Sequence, residues 1–345
     1  MKIKTKWDYS LETEALRLVH TAHQIAVGFY KVNNFIVLPY GPDYKDPSIV
    51  TFPDLPYFKI PRFWEKAKRV EVKDVPIKAP RALVEQVKNL LNEANLPEPN
   101  YTNCQKTWDN AQNAILAETE KIMPAKRGAV KTITIYPTLF GTNTSFNRPS
   151  TFPVDLYLYL REDQGIHAIT EAILTSLTRS DVYDKLDGTW QESEILVDWL
   201  TIFSPLSQVL QKYEPKPNFL PTMKQVRFKQ RGELLQKSKE FYQKLGLDPT
   251  ANVFSLKRET PTIFGKQVED FTIREKEIFV LMINKRNQLI TVDEVANILF
   301  KDDENAFSLQ AIAKAIQRLR DKLEENGVSG SFIQTRRGQG YILVN

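Results

Sequence analysis

The sequence is short of cysteine and of long apolar runs. Its 345 residues contain one cysteine, Cys104, so no internal disulfide can form, which excludes disulfide-stapled secreted domains and fits a reducing compartment. No apolar run approaches the ~20 residues that a membrane-spanning helix needs. The polar stretch Trp7–Glu14 follows lysines at positions 2, 4 and 6 and supplies no apolar signal core. We therefore expect a cytoplasmic protein that does not enter a membrane.

Residues that bind metals or act as nucleophiles are also few. The chain has three histidines. His20 and His23 lie three positions apart on a predicted helix, but no third ligand is visible, so we interpret them as a surface or packing feature. Cys104 has no neighbours typical of a nucleophile, and we expect an ordinary, partly buried thiol.

The composition is that of a globular protein with packed interiors. Hydrophobic residues make up 42% of the chain and aromatic residues 11%. A chain of 345 residues is long for a single core, so we expect two or three domains. The net charge of +5 suits a nucleic-acid partner, but 42 acidic residues accompany the 47 basic ones. Any DNA-binding surface must therefore be local.

The first 213 residues predict a mostly helical domain with a small sheet. Apolar residues recur at helical spacing before and after a proline-rich segment that ends at Pro61. From Val130 the period changes to two, which is typical of strands. The predicted helices are Leu11–Tyr30, Pro80–Ala94 and Asn103–Met123, and the predicted strands are Lys131–Tyr136 and Val154–Leu160.

The region from about residue 130 to 200 carries a resemblance. The strand Val154–Leu160 is followed by predicted helices at Asp163–Leu177 and Gln191–Leu200. This order resembles the zincin metallopeptidases of the gluzincin type. In that family an HExxH motif on the first helix supplies two zinc-binding histidines and the glutamate that activates water. An ExxxD motif on the second helix supplies the third ligand.

The zincin motif is degenerate in this sequence. His167 takes the position of the second histidine, Asp163 that of the first, and Gln164 replaces the glutamate, which removes the general base. Starting the motif at His167 places Ala168 at the base position instead. Glu194 and Asp198 keep the ExxxD spacing on the second helix.

The resemblance leaves three interpretations open. We favour a metal-free, non-catalytic zincin-like scaffold that needs no cofactor. The second interpretation keeps a residual zinc site, structural or sensory, formed by Asp163, His167 and Glu194. The third is an active peptidase with displaced catalytic groups, which must supply both an open metal position and a general base.

A proline-containing joint and a basic helix are predicted between the two halves of the chain. The joint covers Tyr213–Pro221 and the helix covers Met223–Leu245. The apolar edge of the helix favours a packed connector with a solvated basic face, and auxiliary contact with phosphate is the alternative. Its basic residues are Lys224, Arg227, Lys229, Arg231, Lys237, Lys239 and Lys244.

The C-terminal residues predict a helix followed by a short hairpin. Apolar residues at steps of four, three and four place one face of the helix in a core, and polar residues occupy the opposite face. Two β runs then flank a turn whose glycines permit positive φ. The buried face comprises Ile312, Ile316, Leu319 and Leu323, and the exposed face comprises Lys314, Gln317, Arg318 and Asp321.

Two earlier helices of the same region have marked beginnings. Thr272 with Glu275 and Thr291 with Glu294 have the spacing of capping boxes, in which a hydroxyl and a carboxylate satisfy the exposed amides of the first turn. Their apolar faces can pack against the buried face of the last helix. The result is a predicted three-helix core formed by Ile278, Leu281, Met282, Val295, Ile298 and Leu299.

These motifs together resemble the winged helix-turn-helix domain of OmpR/PhoB-type response regulators. The resemblance covers about residues 251–345, with helices, turn and wing in the family's order. Four segments carry it: Phe271-Thr-Ile-Arg-Glu275, Thr291-Val-Asp-Glu294, Ile316-Gln-Arg-Leu-Arg-Asp-Lys-Leu323 and Thr335-Arg-Arg-Gly-Gln-Gly-Tyr341.

The resemblance implies binding to double-stranded DNA. Lys314, Gln317 and Arg318 would lie near base edges in the major groove, with Arg318 the first choice for reading guanine. Arg320 and Thr335 match positions that hold the phosphate backbone, although an intramolecular ion pair is the alternative for Arg320. Arg337 matches the arginine that enters the minor groove. Arg336 and Lys322 would add charge.

Two further features concern partners. The acidic segment Lys301–Phe307 corresponds to a loop that often touches RNA polymerase in the family, so RNA polymerase is an implied partner. A second copy of the chain, in a homodimer, is another expected partner.

A receiver domain of about 120 residues of alternating β and α structure is not recognisable in the first 250 residues, which puts phosphorelay control in doubt.

The sequence therefore predicts an α+β protein in three parts. Residues 1–213 form the zincin-like domain, 214–250 the linker with the basic helix, and 251–345 the winged helix. The leading hypothesis is a transcriptional regulator that binds specific DNA and whose N-terminal domain senses a ligand or partner or mediates assembly. The alternatives are a metallopeptidase carrying a DNA-binding module, and a winged helix that binds protein instead of DNA.

Overall fold

The structure is a computed structural model of the full chain. It describes residues 3–41, 49–147, 149, 151–186, 190–216, 232–247, 253–268, 270–301 and 307–344. Most of the predicted basic residues of the connector, from Lys224 to Arg231, and residues 302–306 of the predicted polymerase-contacting loop lie outside these ranges.

The first part of the chain alternates helices with short strands. Its elements are β1 (Lys4–Trp7), α1 (Leu11–Ala26), α2 (Phe29–Val32), β2 (Ile36–Pro39), β3 (Ile49–Phe52), α3 (Phe63–Lys68), α4 (Arg81–Ala94), α5 (Thr102–Ile122), β4 (Val130–Thr138), β5 (Thr144–Phe146), β6 (Val154–Arg161), α6 (Ile166–Ser180), α7 (Trp190–Ile202) and α8 (Leu206–Tyr213).

The last part contains four helices and six strands in the described ranges. They are α9 (Gly232–Lys244), β7 (Phe254–Lys257), β8 (Thr260–Ile263), β9 (Lys266–Gln267), α10 (Ile273–Asn284), β10 (Ile290–Thr291), α11 (Val292–Leu299), α12 (Leu309–Glu325), β11 (Ile333–Arg336) and β12 (Gly340–Leu343).

The chain divides into two compact units. Unit 1 contains Met1–His23 and Ile36–Phe241, and unit 2 contains Gln24–Phe35 and Tyr242–Asn345. This division differs from the predicted boundaries because Gln24–Phe35, assigned by sequence to the N-terminal domain, belongs to unit 2.

The predicted helix Leu11–Tyr30 forms two helices in the structure. It is interrupted at Gly28, whose φ of 77° is left-handed.

Unit 1 is built on a four-stranded sheet of order β1-β4-β6-β5. The first three strands are parallel, with Ile133 of β4 opposite Leu156 of β6, and β5 is antiparallel at the edge. Apolar residues of β4 and β6 pack with α5, α6, α7 and α8 into one core. The period-two pattern therefore predicted both long strands correctly, because alternate side chains of a strand point to the same face and those of β4 and β6 lie in this core.

Unit 2 contains the three-helix core that the sequence predicts. Ile278, Met282 and Val295 are buried together with the apolar face of α12, while Leu281 and Ile298 are partly buried. Two three-stranded antiparallel sheets flank the helices, one of order β7-β8-β9 and one of order β10-β12-β11.

Among the described residues, no helix is long and apolar enough to cross a membrane.

The last hairpin depends on a glycine at the start of β12. Gly340 has φ 145°, and a Cβ atom there would lie 1.9 Å from the backbone oxygen of Ile290 on the neighbouring strand β10. Gly338, in the turn of the same hairpin, has φ 68° but open space around its Cβ position.

We predict that Gly340→Ala destabilises unit 2 by at least about 2 kcal/mol, because it adds a backbone clash to the strain of a rare φ. Gly338→Ala, the matched control, should cost only about 1–2 kcal/mol for its left-handed φ. Urea unfolding of the two variants measures the difference. Equal losses would contradict the role given to the Ile290 contact.

Candidate nucleic-acid interface

The helix α12 separates an apolar face from a polar one. Its N-terminus is capped by the Ser308 hydroxyl, which accepts a hydrogen bond from the Ala311 amide at 3.3 Å. The four predicted core residues are all buried. The side chains on the opposite face are exposed, as the spacing predicts: Lys314, Gln317, Arg318 and Asp321.

Arg318 is held at one nitrogen and exposed at the others. Its Nε donates to the Glu275 carboxylate at 2.9 Å, and 58% of its side chain is accessible to solvent. No hydrogen bond from its two terminal nitrogens occurs among the described residues. A guanidinium held in this way keeps the paired donors that can read guanine.

Glu275 has two functions in this arrangement. Its other carboxylate oxygen accepts a hydrogen bond from the Thr272 amide at 3.0 Å, which completes the predicted capping box of α10. Burial by itself would raise the pKa of Glu275, but hydrogen bonds from Thr272 and the charge of Arg318 outweigh it and lower the pKa below its ordinary value. The carboxylate is therefore charged and fixes Arg318 to α10.

Arg320 links α12 to the hairpin. Its Nε donates to the Ile333 carbonyl at 3.0 Å, and a terminal nitrogen donates to the Thr335 hydroxyl at 2.8 Å. The side chain is half-buried. The structure thus brings two predicted phosphate-binding residues, Arg320 and Thr335, into direct contact through a hydrogen bond within the protein.

The hairpin presents two exposed arginines. β11 and β12 pair in antiparallel register with Arg336 opposite Gly340, and Arg337 lies in the turn between them. Arg336 makes one long contact, 3.4 Å, with the Gln334 side-chain oxygen. β12 also pairs with β10, so the hairpin is the outer part of a three-stranded sheet. We call β11, the turn and β12 the wing.

Two interactions of α12 were not expected from the sequence, one made by Gln317 and the other by Arg318. Gln317 donates to the Asp321 carboxylate at 2.9 Å, one helical turn away. Lys322 is half-buried and Lys314 is exposed. The contact between Arg318 and Glu275 was likewise missed, because the capping spacing identified Glu275 but gave no signal for a partner 43 residues away.

The predicted zinc ligands are engaged elsewhere. Nδ1 of His167 lies 2.7 Å from the Glu214 carboxylate, which also accepts a hydrogen bond from the His167 amide and so caps α6. Asp163 precedes α6 and accepts two hydrogen bonds from Arg161, at 2.7 and 3.0 Å. Glu194 pairs with Arg179 at 2.8 Å.

These positions do not bring together the ligands of the second interpretation, the residual zinc site. Arg179 lies twelve residues beyond His167 on α6, which is about 18 Å along the axis at about 1.5 Å per residue. Glu194, paired with Arg179, is therefore near the opposite end of α6 from His167, and the two cannot share an ion. Among the described residues no group of three His, Cys, Asp or Glu side chains could hold a metal ion.

The histidine pair and the cysteine behave as packed residues. His20 is buried, and burial together with the charge of Arg17 lowers its pKa. His23 contacts the Ala67 carbonyl through Nδ1 at 2.9 Å. Cys104 is partly buried, and burial raises its pKa to about 12, so its thiol stays protonated at neutral pH.

Comparison with known proteins identifies the C-terminal residues. Residues 266–343 match the family described as "Transcriptional regulatory protein, C terminal", the OmpR/PhoB-type DNA-binding domain. Two curated relatives, both named Response regulator protein GraR and from two strains of Staphylococcus epidermidis, ATCC 35984 and ATCC 12228, are 35% identical over 88 residues.

The similarity is confined to part of each protein. The aligned residues cover 26% of this chain and 36% of each relative, so the chain spans about a third of the length of these relatives. No solved structure matches the chain. The comparisons confirm the predicted winged-helix resemblance for residues 266–343.

The two capping glutamates make the stability of unit 2 depend on pH. Glu275 and Glu294 both have a pKa below the ordinary value of 4.5, in Glu294 chiefly because of the hydrogen bond from Lys285. Their charged forms are favoured in the folded state, so they stabilise unit 2 above pH ~4.5, and this contribution is lost as the pH falls through the lowered values.

We therefore predict that unfolding of unit 2 requires less urea as the pH is lowered from 5 to 3. The double variant Glu275→Gln and Glu294→Gln keeps side chains able to cap but cannot titrate, so its dependence on pH should be shallower. Urea midpoints at pH 3, 4 and 5 measure the slope. Parallel curves for wild type and variant would refute this assignment.

Proposed function

We propose that the protein regulates transcription by binding a specific sequence in double-stranded DNA through α12 and the wing. The observation that carries the proposal is the geometry of Arg318, exposed on the polar face of α12 and held by Glu275. The family assignment of residues 266–343 supports the same function. RNA polymerase as a partner and a homodimer on DNA remain part of the proposal.

In this proposal α12 enters the major groove. A helix with its side chains is about 10–12 Å across, and the groove is about 12 Å wide. Arg318 would donate its two terminal nitrogens to guanine, and Lys314 would lie beside it. Gln317 would read adenine with its amide, which requires that the hydrogen bond to Asp321 be exchanged for one to the base.

The wing would hold the adjacent backbone and minor groove. Arg337 in its turn would enter the minor groove, while Arg336 and Lys322 would add charge toward phosphates. The Thr335 oxygen accepts its hydrogen bond from Arg320, so its hydroxyl hydrogen is available to a phosphate oxygen. In this mechanism Arg320 acts by keeping the wing at a fixed distance from α12.

For unit 1 we propose a non-catalytic role in sensing or assembly on a zincin-like scaffold. The order of β6, α6 and α7 supports the scaffold, since a strand and two helices follow one another as the resemblance requires. The loss of the general base and the separation of His167 from Glu194 argue against the alternative of a metallopeptidase. A non-enzymatic regulator is the interpretation these observations favour.

The specificity of binding tests the proposed role of α12. We predict that Arg318→Ala weakens binding to a duplex selected from a random pool by ~1–3 kcal/mol and relaxes preference at one base pair. Arg258→Ala, which removes an equal charge in the turn between β7 and β8, is the control and should bind like wild type. Fluorescence titration measures both. An unchanged affinity and base preference for Arg318→Ala would remove the assignment.

The salt dependence of binding tests the wing. Each phosphate contact contributes a slope of about −0.9 to a plot of log affinity against log salt concentration. Arg336→Ala should therefore reduce the slope by about 1 and weaken all duplexes alike, leaving the base preference intact. A wild-type protein with feeble, salt-insensitive binding would instead favour a winged helix that binds protein.

A further inference from the structure

A segment from the N-terminal part of the chain is packed in unit 2. Residues Gln24–Phe35 belong to this unit, although more than two hundred residues separate them from its main part. Val32 is a member of the apolar core that also contains Phe254, Phe332 and Ile333. The domain matched by the family begins at residue 266, so the segment is an addition to it.

The segment contacts one particular turn of unit 2. The carbonyl of Val27 accepts a hydrogen bond from the Ser329 amide at 2.8 Å. Gly28 lies against the buried ring of Phe332, and a Cβ atom at Gly28 would be 2.9 Å from that ring. Tyr30 is buried as well and packs edge-on against Phe35, which closes the segment on itself.

The contacted turn joins the two halves of the candidate interface. Residues 326–332 connect the end of α12 to β11, so their position sets where the wing begins. Ser329 caps the short 3-10 helix Gly330–Phe332 by accepting a hydrogen bond from the Ser331 amide. The carbonyl of Phe332 accepts one from Val344, just after β12. Movement of Phe332 would therefore shift both strands of the wing.

We propose that Gln24–Phe35 is a brace that holds the wing in position for DNA, and that the DNA-binding unit is incomplete without it. The partner of this surface is the protein's own chain. The functional part of the inference rests on the proposed DNA binding. The structural part, in which the segment orders the wing, does not.

The brace also has a direct connection to the rest of the protein. The helix α1 runs without interruption from Leu11 to Ala26, and the boundary between the units falls within it, after His23. The brace is therefore covalently continuous with the last turn of α1.

Two glycine substitutions in the full-length protein test the brace. Gly28→Ala forces the Phe332 ring to move and strains a left-handed φ. Gly128→Ala imposes the same kind of φ strain, at 69°, but its Cβ meets no atom within 4 Å, and Gly128 lies in unit 1. The pair therefore isolates the contact with Phe332.

We expect Gly28→Ala to speed hydrogen exchange of the amides in residues 333–343 at least tenfold relative to wild type. Its DNA affinity should fall at least threefold, with a smaller salt slope. Gly128→Ala should match wild type in both measurements. Wing exchange unchanged by Gly28→Ala would overturn the brace. Faster wing exchange with unchanged DNA affinity would overturn its functional part.

The same experiment separates this inference from the proposed function. Failure of wild type to bind any duplex would refute DNA binding, while the exchange rates would still decide whether the segment orders the wing. If Gly28→Ala fails to fold, Val32→Ala removes a buried contact of the brace, and Val87→Ala is a matched truncation in α4. Faster wing exchange in Val32→Ala alone supports the brace, and equal exchange in both overturns it.

Discussion

The candidate DNA-binding surface depends on the fixed position of α12 relative to its neighbours. The apolar face of the helix is buried in the core of unit 2, which determines the side that faces solvent. Two arginines then connect the helix to elements on either side of it in sequence. Arg318 is bonded to Glu275 at the start of α10, and Arg320 is bonded to Ile333 and Thr335 in the wing. These charge-assisted bonds are short and directional, so they orient the groups that would face DNA.

The same surface illustrates how one residue type performs different tasks. Arg318 and Arg320 are two positions apart, and both lie outside the apolar core, yet 58% of Arg318 is exposed whereas Arg320 is half-buried beneath the wing. An arginine hydrogen-bonded to a neighbouring element of the protein, as Arg320 is, contributes geometry, and one with exposed terminal nitrogens, as Arg318 is, can contribute recognition. The segment Gln24–Phe35 adds a third contact, on the turn between helix and wing, where the Ser329 amide donates a hydrogen bond to the Val27 carbonyl.

Features with a local physical cause were predictable from the sequence. Both capping boxes formed as predicted, because a hydroxyl and a carboxylate three residues apart meet the same exposed amides. The strands β4 and β6 and the buried face of α12 followed from apolar periodicity. The alternative of a residual zinc site assumed that Asp163 lies on the helix, whereas α6 begins at Ile166, after the turn in which Arg161 binds Asp163. The start of α6 coincides with a cap from Glu214, 47 residues after His167.

By itself the sequence determined the family that the C-terminal residues resemble, the faces of their helices and the candidates for DNA contact, since each depends on spacing within a few turns of chain. Only the tertiary structure decided which of those residues remain available. Hydrogen bonds between distant segments hold Arg320 against the wing and pair Glu194 with Arg179, away from His167. Burial places Val32 in a core with Phe332. Such contacts are selected by the free energy of the whole packed unit, and no local pattern encodes them.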